Sequence, residues 1–81
     1  MKNITRHTGK LEILKRLPNS YLGNPKFKCA IVDENGNGFS FVTPTNSMFG
    51  YSIQNYENKK VIAELGTFRN ICTLNSIKEL I

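Results

Sequence analysis

The stretch Lys26-Phe27-Lys28-Cys29-Ala30-Ile31-Val32-Asp33-Glu34-Asn35-Gly36-Asn37-Gly38-Phe39-Ser40-Phe41-Val42-Thr43 decides the fold. Its first seven residues alternate: Phe27, Cys29 and Ile31 share one face, Lys26 and Lys28 the other, the two-residue period of a half-buried strand. Two Asn-Gly pairs follow within Asp33–Gly38. Asn and Gly both tolerate positive φ, which tight hairpin turns require, so the chain reverses here. Phe39 and Phe41 then share a face of the returning strand. Residues 26–43 read as a β-hairpin with an aromatic and aliphatic inner face.

Upstream, Lys10–Leu17 places Leu11 and Ile13 on one side and Lys10, Glu12 and Arg16 on the other. Between this strand and the hairpin, Pro18–Pro25 is a loop of turn formers. Gly23 permits positive φ, the following proline pushes Asn24 extended, and Pro25 opens a strand without donating to its ladder. Downstream, Pro44–Lys59 breaks the alternation. There Thr45 or Asn46 can cap a helical turn through Ser47, Met48 and Phe49 that Gly50 ends, leaving Tyr51, Ile53 and Tyr56 to pack on the sheet. Alternation resumes at Lys60–Leu65, stops at Gly66, and after Thr67–Asn70 returns in Ile71–Leu74. Ser76 and Glu79 have the spacing of a capping box, which predicts a single helical turn at the end.

Five short strands, one central excursion and no long amphipathic helix, in 81 residues, predict one all-β domain with one core. Curling the sheet into a small, partly open barrel buries the apolar faces and hides the edge strands. Residues 1–9 read as a flexible or edge-pairing segment. An OB-like barrel places the excursion between strands three and four, whereas an SH3-like barrel uses Pro18–Pro25 as its long first loop; the pattern fits both. The predicted core is Leu11, Ile13, Leu17, Phe27, Cys29, Ile31, Phe39, Phe41, Tyr51, Ile53, Val61, Ala63, Leu65 and Ile71.

Composition narrows the function. A hydrophobic fraction of 40% with 21% charged residues is that of a globular chain. No apolar run approaches the roughly 18 residues of a membrane span, and the first residues lack a secretory apolar stretch. Cys29 and Cys72 are too few for a disulfide framework. The expectation is a soluble cytoplasmic protein with reduced thiols and no membrane partner.

Catalysis is not expected. The single histidine, His7, stands in the terminal segment away from any Ser, Cys or Asp motif, and both cysteines sit on apolar strands as structural thiols. No phosphate-binding glycine loop occurs. Asp33–Gly38 opens like an EF-hand calcium loop, but its twelfth position, which needs a bidentate Glu, is Pro44, and its flanks are strands. Two cysteines and one histidine do not make a zinc site. No cofactor is expected, and the Asn3-Ile4-Thr5 sequon has no secretion signal to act on.

What remains is a binding surface. Residues 1–28 carry seven basic side chains against Glu12 alone, while residues 29–81 carry four against five acids. Lys10, Arg16, Lys26 and Lys28 fall on adjacent strands if the first two pair, and Tyr21, with Tyr51 and Tyr56, can offer stacking faces. Cations that track phosphates and rings that stack bases make a sequence-tolerant single-strand binder. The plainer reading is a solvated face whose lysines discourage edge-to-edge aggregation and whose tyrosines pack half-buried.

Arg16-Leu17-Pro18-Asn19-Ser20 leading into Gly23-Asn24-Pro25, with Thr43, Tyr51 and Asn55 beyond, resembles a group of small uncharacterised bacteriophage and mobile-element proteins. In that group a Leu-Pro-x-Ser segment leads to a Gly-Asn-Pro turn, and a Thr and a Tyr-x-x-x-Asn stretch follow the second hairpin strand. The likeness spans about residues 11 to 75 and is looser at Pro44-Thr45-Asn46-Ser47. It implies a phage or plasmid setting, in which tiny non-enzymatic proteins bind nucleic acid or block a host protein.

Together these readings predict a non-enzymatic module that contacts nucleic acid through Lys10, Arg16, Tyr21, Lys26 and Lys28. The alternatives are a protein-binding inhibitor of a host factor, such as an anti-defence protein, using the same patch or a strand edge, and a structural or oligomerising phage protein.

Overall fold

The computed structural model describes residues 2–45 and 49–80. Its elements are β1 (Lys2–Leu17), β2 (Lys26–Val32), β3 (Gly38–Val42), a short α-helix α1 (Phe49–Ser52) continued by a 3₁₀ turn (Ile53–Tyr56), β4 (Lys60–Phe68) and β5 (Ile71–Glu79). The strands close a ring in the order β1-β2-β3-β5-β4. Four seams are antiparallel; β3 and β5 are parallel and meet in register only at Val42 and Thr73. The ring is therefore closed but uneven. With the helical excursion between β3 and β4, and β1 joined to both β2 and β4, the barrel is OB-like and not SH3-like.

One strand can serve two neighbours because of Gly9. Lys10 pairs with Lys60 on one side and Val32 on the other. At the adjoining Gly9, a Cβ would lie 2.3 Å from the Val32 carbonyl oxygen. Only a residue without a side chain lets the two backbones approach this closely at a barrel corner.

The core comprises Leu11, Phe27, Cys29, Ile31, Phe41, Ile53, Val61, Ala63, Leu65 and Leu74, all buried. Ile53 enters it from the 3₁₀ turn. The hairpin forms as the alternation dictates, with Cys29 facing Phe41 and Ile31 facing Phe39. At its tip Asp33 Oδ1 accepts the backbone N–H of Asn35 and of Asn37, both at 2.9 Å, and Gly36 takes φ +83°.

Four expectations are corrected. A β-bulge at Leu14 breaks the β1–β2 register between Ile13 and Lys15. The extra residue reverses the alternation beyond it, so Arg16 pairs with Phe27 on the inner-facing side and Lys15 takes the outer place opposite Lys28. Gly50 lies inside α1 instead of ending it, and is buried; its Cβ position falls 1.8 Å from the Pro25 carbonyl oxygen, so the helix rests directly on that backbone. The alternative cap Asn46 and the turn residues Ser47 and Met48 lie outside the described residues.

Three predicted core residues are exposed: Tyr51, Phe39 and Ile71. Tyr51 follows the buried Gly50, about 100° further round the helix. Phe39 keeps its inward side but stacks on His7 at the rim, ring centroids 4.3 Å apart. Ile71 faces out because Leu65 pairs with Leu74, which fixes Leu74 inward and Ile71 on the opposite face. Finally, the capping box is a strand. Ser76 pairs with Glu64 and its hydroxyl donates to Glu64 Oε1 at 2.9 Å, because a ladder along β4 supplies more hydrogen bonds than one isolated helical turn. Among the described residues no helix is long and apolar enough to cross a membrane.

Candidate nucleic-acid interface

The β1–β2 loop is held rather than loose. Gly23 N–H donates to the Ser20 carbonyl at 2.8 Å and Ser20 N–H to the Asn24 carbonyl at 2.9 Å. Ser20 Oγ and Asn24 Nδ2 both donate to the Thr45 carbonyl, at 3.0 and 2.9 Å, tying the loop to the segment that follows β3. Tyr21 and Leu22 occupy the two central positions of this turn. Its ends are braced while its tip stands in water, with Tyr21 90% exposed.

Arg16 anchors the loop from the other side. Its guanidinium lies 5.0 Å over the Phe27 ring, and Nη1 donates to the carbonyls of Leu17 and Lys26, both at 3.1 Å, while Nη2 donates to Asn19 Oδ1. Much of its donor capacity is spent on the fold.

Facing Tyr21 is the β4–β5 turn. Arg69 and Asn70 both have left-handed backbone, φ +52° and +64°, the conformation of a tight hairpin turn. The residues on either side, Phe68 and Ile71, pair across its base and are each about half exposed. The Arg69 guanidinium sits 5.4 Å over the Phe68 ring. Between loop and turn lies a cleft of about 430 Å³ lined by Tyr21, Lys26, Val42, Thr43, Pro44, Thr45, Phe68, Arg69, Ile71 and Thr73. Among the described residues it contains three exposed large apolar side chains, two cations and no carboxylate.

Three ion pairs occur among the described residues: Arg6 with Glu64 at 3.4 Å, Lys59 with Glu79 at 3.6 Å and Lys60 with Glu34 at 3.9 Å. Lys15, Arg16, Lys26, Lys28 and Arg69 take part in none of them. Lys15 stands directly opposite Lys28, and Lys28 opposite Val42 on the cleft wall. Like charges facing across a ladder repel, so this row is electrostatically unsatisfied within the protein. A larger, open depression of about 560 Å³ on another part of the surface mixes Lys10 and Lys60 with Asp33 and Glu34, and the Lys60–Glu34 pair neutralises part of it.

The expected site residues thus part company. Tyr21 and Lys26 line the cleft, Lys28 adjoins it, Arg16 braces its loop, and Lys10 lies opposite Val32 at the far end of β2, in the mixed depression. Sequence reasoning missed Phe68, Arg69 and Ile71, and Lys15 beside Lys28. The available signal was Phe-Arg-Asn-Ile, two large apolar residues bracketing a two-residue turn, where a residue beside a hairpin tip is rarely covered on both faces. No family model, curated protein or solved structure matches this chain.

Proposed function

We propose that this chain is a non-enzymatic module that binds single-stranded nucleic acid. Bases stack on Tyr21 and on the Phe68–Ile71 turn, and phosphates run over Lys26, Lys28 and Lys15. One observation carries this reading: exposed aromatic and aliphatic surface shares a cleft with Lys26 and Arg69, which have no acidic partner among the described residues. Aromatic faces accept any base, and lysines exchange counterions for phosphates, so binding has to be salt-dependent. Outward-facing β2 and β3 with the adjoining β1–β2 and β4–β5 loops are also where barrels of this shape take oligonucleotides.

Fluorescence anisotropy with a labelled mixed-sequence single strand tests it. Binding should appear at about 50 mM salt and weaken with a log–log slope of about −2 to −3, as three or four phosphate contacts give. Tyr21→Ala should cost about 1–3 kcal/mol of affinity without changing the melting temperature, because that side chain is 90% exposed. No anisotropy change at low salt would overturn the reading in favour of an acidic protein surface as the partner of the same cations.

A further inference from the structure

We infer that the cleft prefers keto-bearing bases, guanine and thymine or uracil, over adenine and cytosine, and that Arg69 sets this preference. The inference rests on the nucleic-acid reading above and deepens it by naming the base class.

The charged groups that line the cleft are hydrogen-bond donors only. Among the described residues its lining holds Arg69 and Lys26, and no Asp, Glu, Asn or Gln side chain. The Arg69 guanidinium donates no hydrogen bond within the described residues; its contact is the stack on Phe68. Lys26 Nζ uses one donor on Thr45 Oγ1, at 3.4 Å, and keeps two. Several of the acceptors are committed elsewhere. The Thr45 carbonyl takes Ser20 Oγ and Asn24 Nδ2, one for each lone pair. Thr43 Oγ1 accepts the Phe27 N–H, and the Ile71 carbonyl accepts Thr73 Oγ1.

A surface of free donors matches base edges that present acceptors. Guanine shows O6 and N7 together, the pair that a guanidinium fork meets with two parallel bonds, and thymine or uracil shows keto oxygens. Adenine and cytosine bring an exocyclic amino donor to the same edge, and here it finds few acceptors. The backbone supports the assignment. Arg69 holds φ +52°, a conformation that Gly, Asn or Asp adopts at lower cost, so the arginine contributes nothing to the turn that glycine would not supply better.

The test compares alternating G-T with alternating A-C single-stranded DNA of equal length, which carry equal phosphate charge. The G-T strand should bind about tenfold tighter. Arg69→Gly, which relieves the left-handed strain, should keep or raise the melting temperature while the preference falls to roughly twofold or less. Arg69→Lys should lose the preference but retain the salt slope. Equal affinity for both strands, or tighter A-C binding, overturns the inference and leaves nucleic-acid binding standing. Failure of both strands to bind overturns the two together. A preference that survives Arg69→Gly removes Arg69 from the assignment.

Discussion

Thr43 and Phe27 exchange two hydrogen bonds of different kinds: Thr43 N–H donates to the Phe27 carbonyl at 3.1 Å, and Phe27 N–H donates to Thr43 Oγ1 at 3.0 Å. A side-chain oxygen thus completes the β2–β3 ladder just past the end of β3, where Thr43 is fully buried and lines the cleft floor. Thr43→Val keeps the shape and strands the Phe27 N–H, which should cost about 1–3 kcal/mol. Thr43→Ser keeps the acceptor and should lose less. Urea denaturation of the two variants decides it; equal midpoints would mean the hydroxyl is not needed.

The glycines should separate by what faces their missing Cβ. Gly50→Ala and Gly9→Ala drive a methyl into backbone carbonyls at 1.8 and 2.3 Å, and each should destabilise by about 1–3 kcal/mol or more. Gly38 has nothing within 4 Å of its Cβ position, so Gly38→Ala should stay within about 0.5 kcal/mol of the parent. Thermal melts of the three proteins check the ranking.

Lys28→Glu should move stability and binding in opposite directions. The new carboxylate would face Lys15 across the β1–β2 ladder, replacing repulsion by attraction and raising stability by about 0.2–1 kcal/mol. The same change removes a phosphate contact and adds a negative charge beside the cleft, so single-strand affinity should fall and the salt slope should flatten. Loss of both properties would argue that Lys28 serves the fold alone.

The Glu64 carboxyl is held below its ordinary value of 4.5, first by the Ser76 hydroxyl and then by Arg6. A lowered folded value means that the charged form is the one the fold favours. Its contribution is complete above about pH 4.5 and fades as pH falls through the lower folded value. The melting-temperature gap between the parent and Glu64→Gln should therefore be constant at neutral pH and shrink in acid below 4.5. A gap that persists unchanged into strong acid would contradict the assignment.

The two thiols should react unequally. Burial, aided by the Glu57 carboxylate, pushes Cys29 up to about 12, while Cys72 is exposed and only raised by partial burial. Near pH 8 a thiol-specific chromogenic reagent should modify Cys72 in the folded protein and reach Cys29 only in denaturant. Immediate reaction of both would place Cys29 outside the core.

The hairpin of residues 26–43 was legible because its evidence is local. Alternation assigns the faces and the Asn-Gly pairs supply the turn, and neither depends on the rest of the chain. The basic first third and the turn-rich Pro18–Pro25 loop were legible for the same reason. Arg16 was misplaced because a bulge costs one residue and leaves no compositional mark, yet it turns every later side chain to the other face. Tyr51 and Ile71 were misplaced because an apolar residue that is left exposed looks, in a string of letters, like one that is buried.

The order of letters by itself determined that this chain makes a short-stranded, curled sheet with a cationic leading third, since residue periodicity and turn chemistry act over a few neighbours. Only the tertiary structure decided the ring order, the turning of β1 at Gly9, and the meeting of Tyr21 with Phe68 and Arg69 across a cleft. Those residues stand nearly fifty positions apart, and what joins them is closure of the barrel, set by packing and backbone hydrogen bonds summed over all five strands.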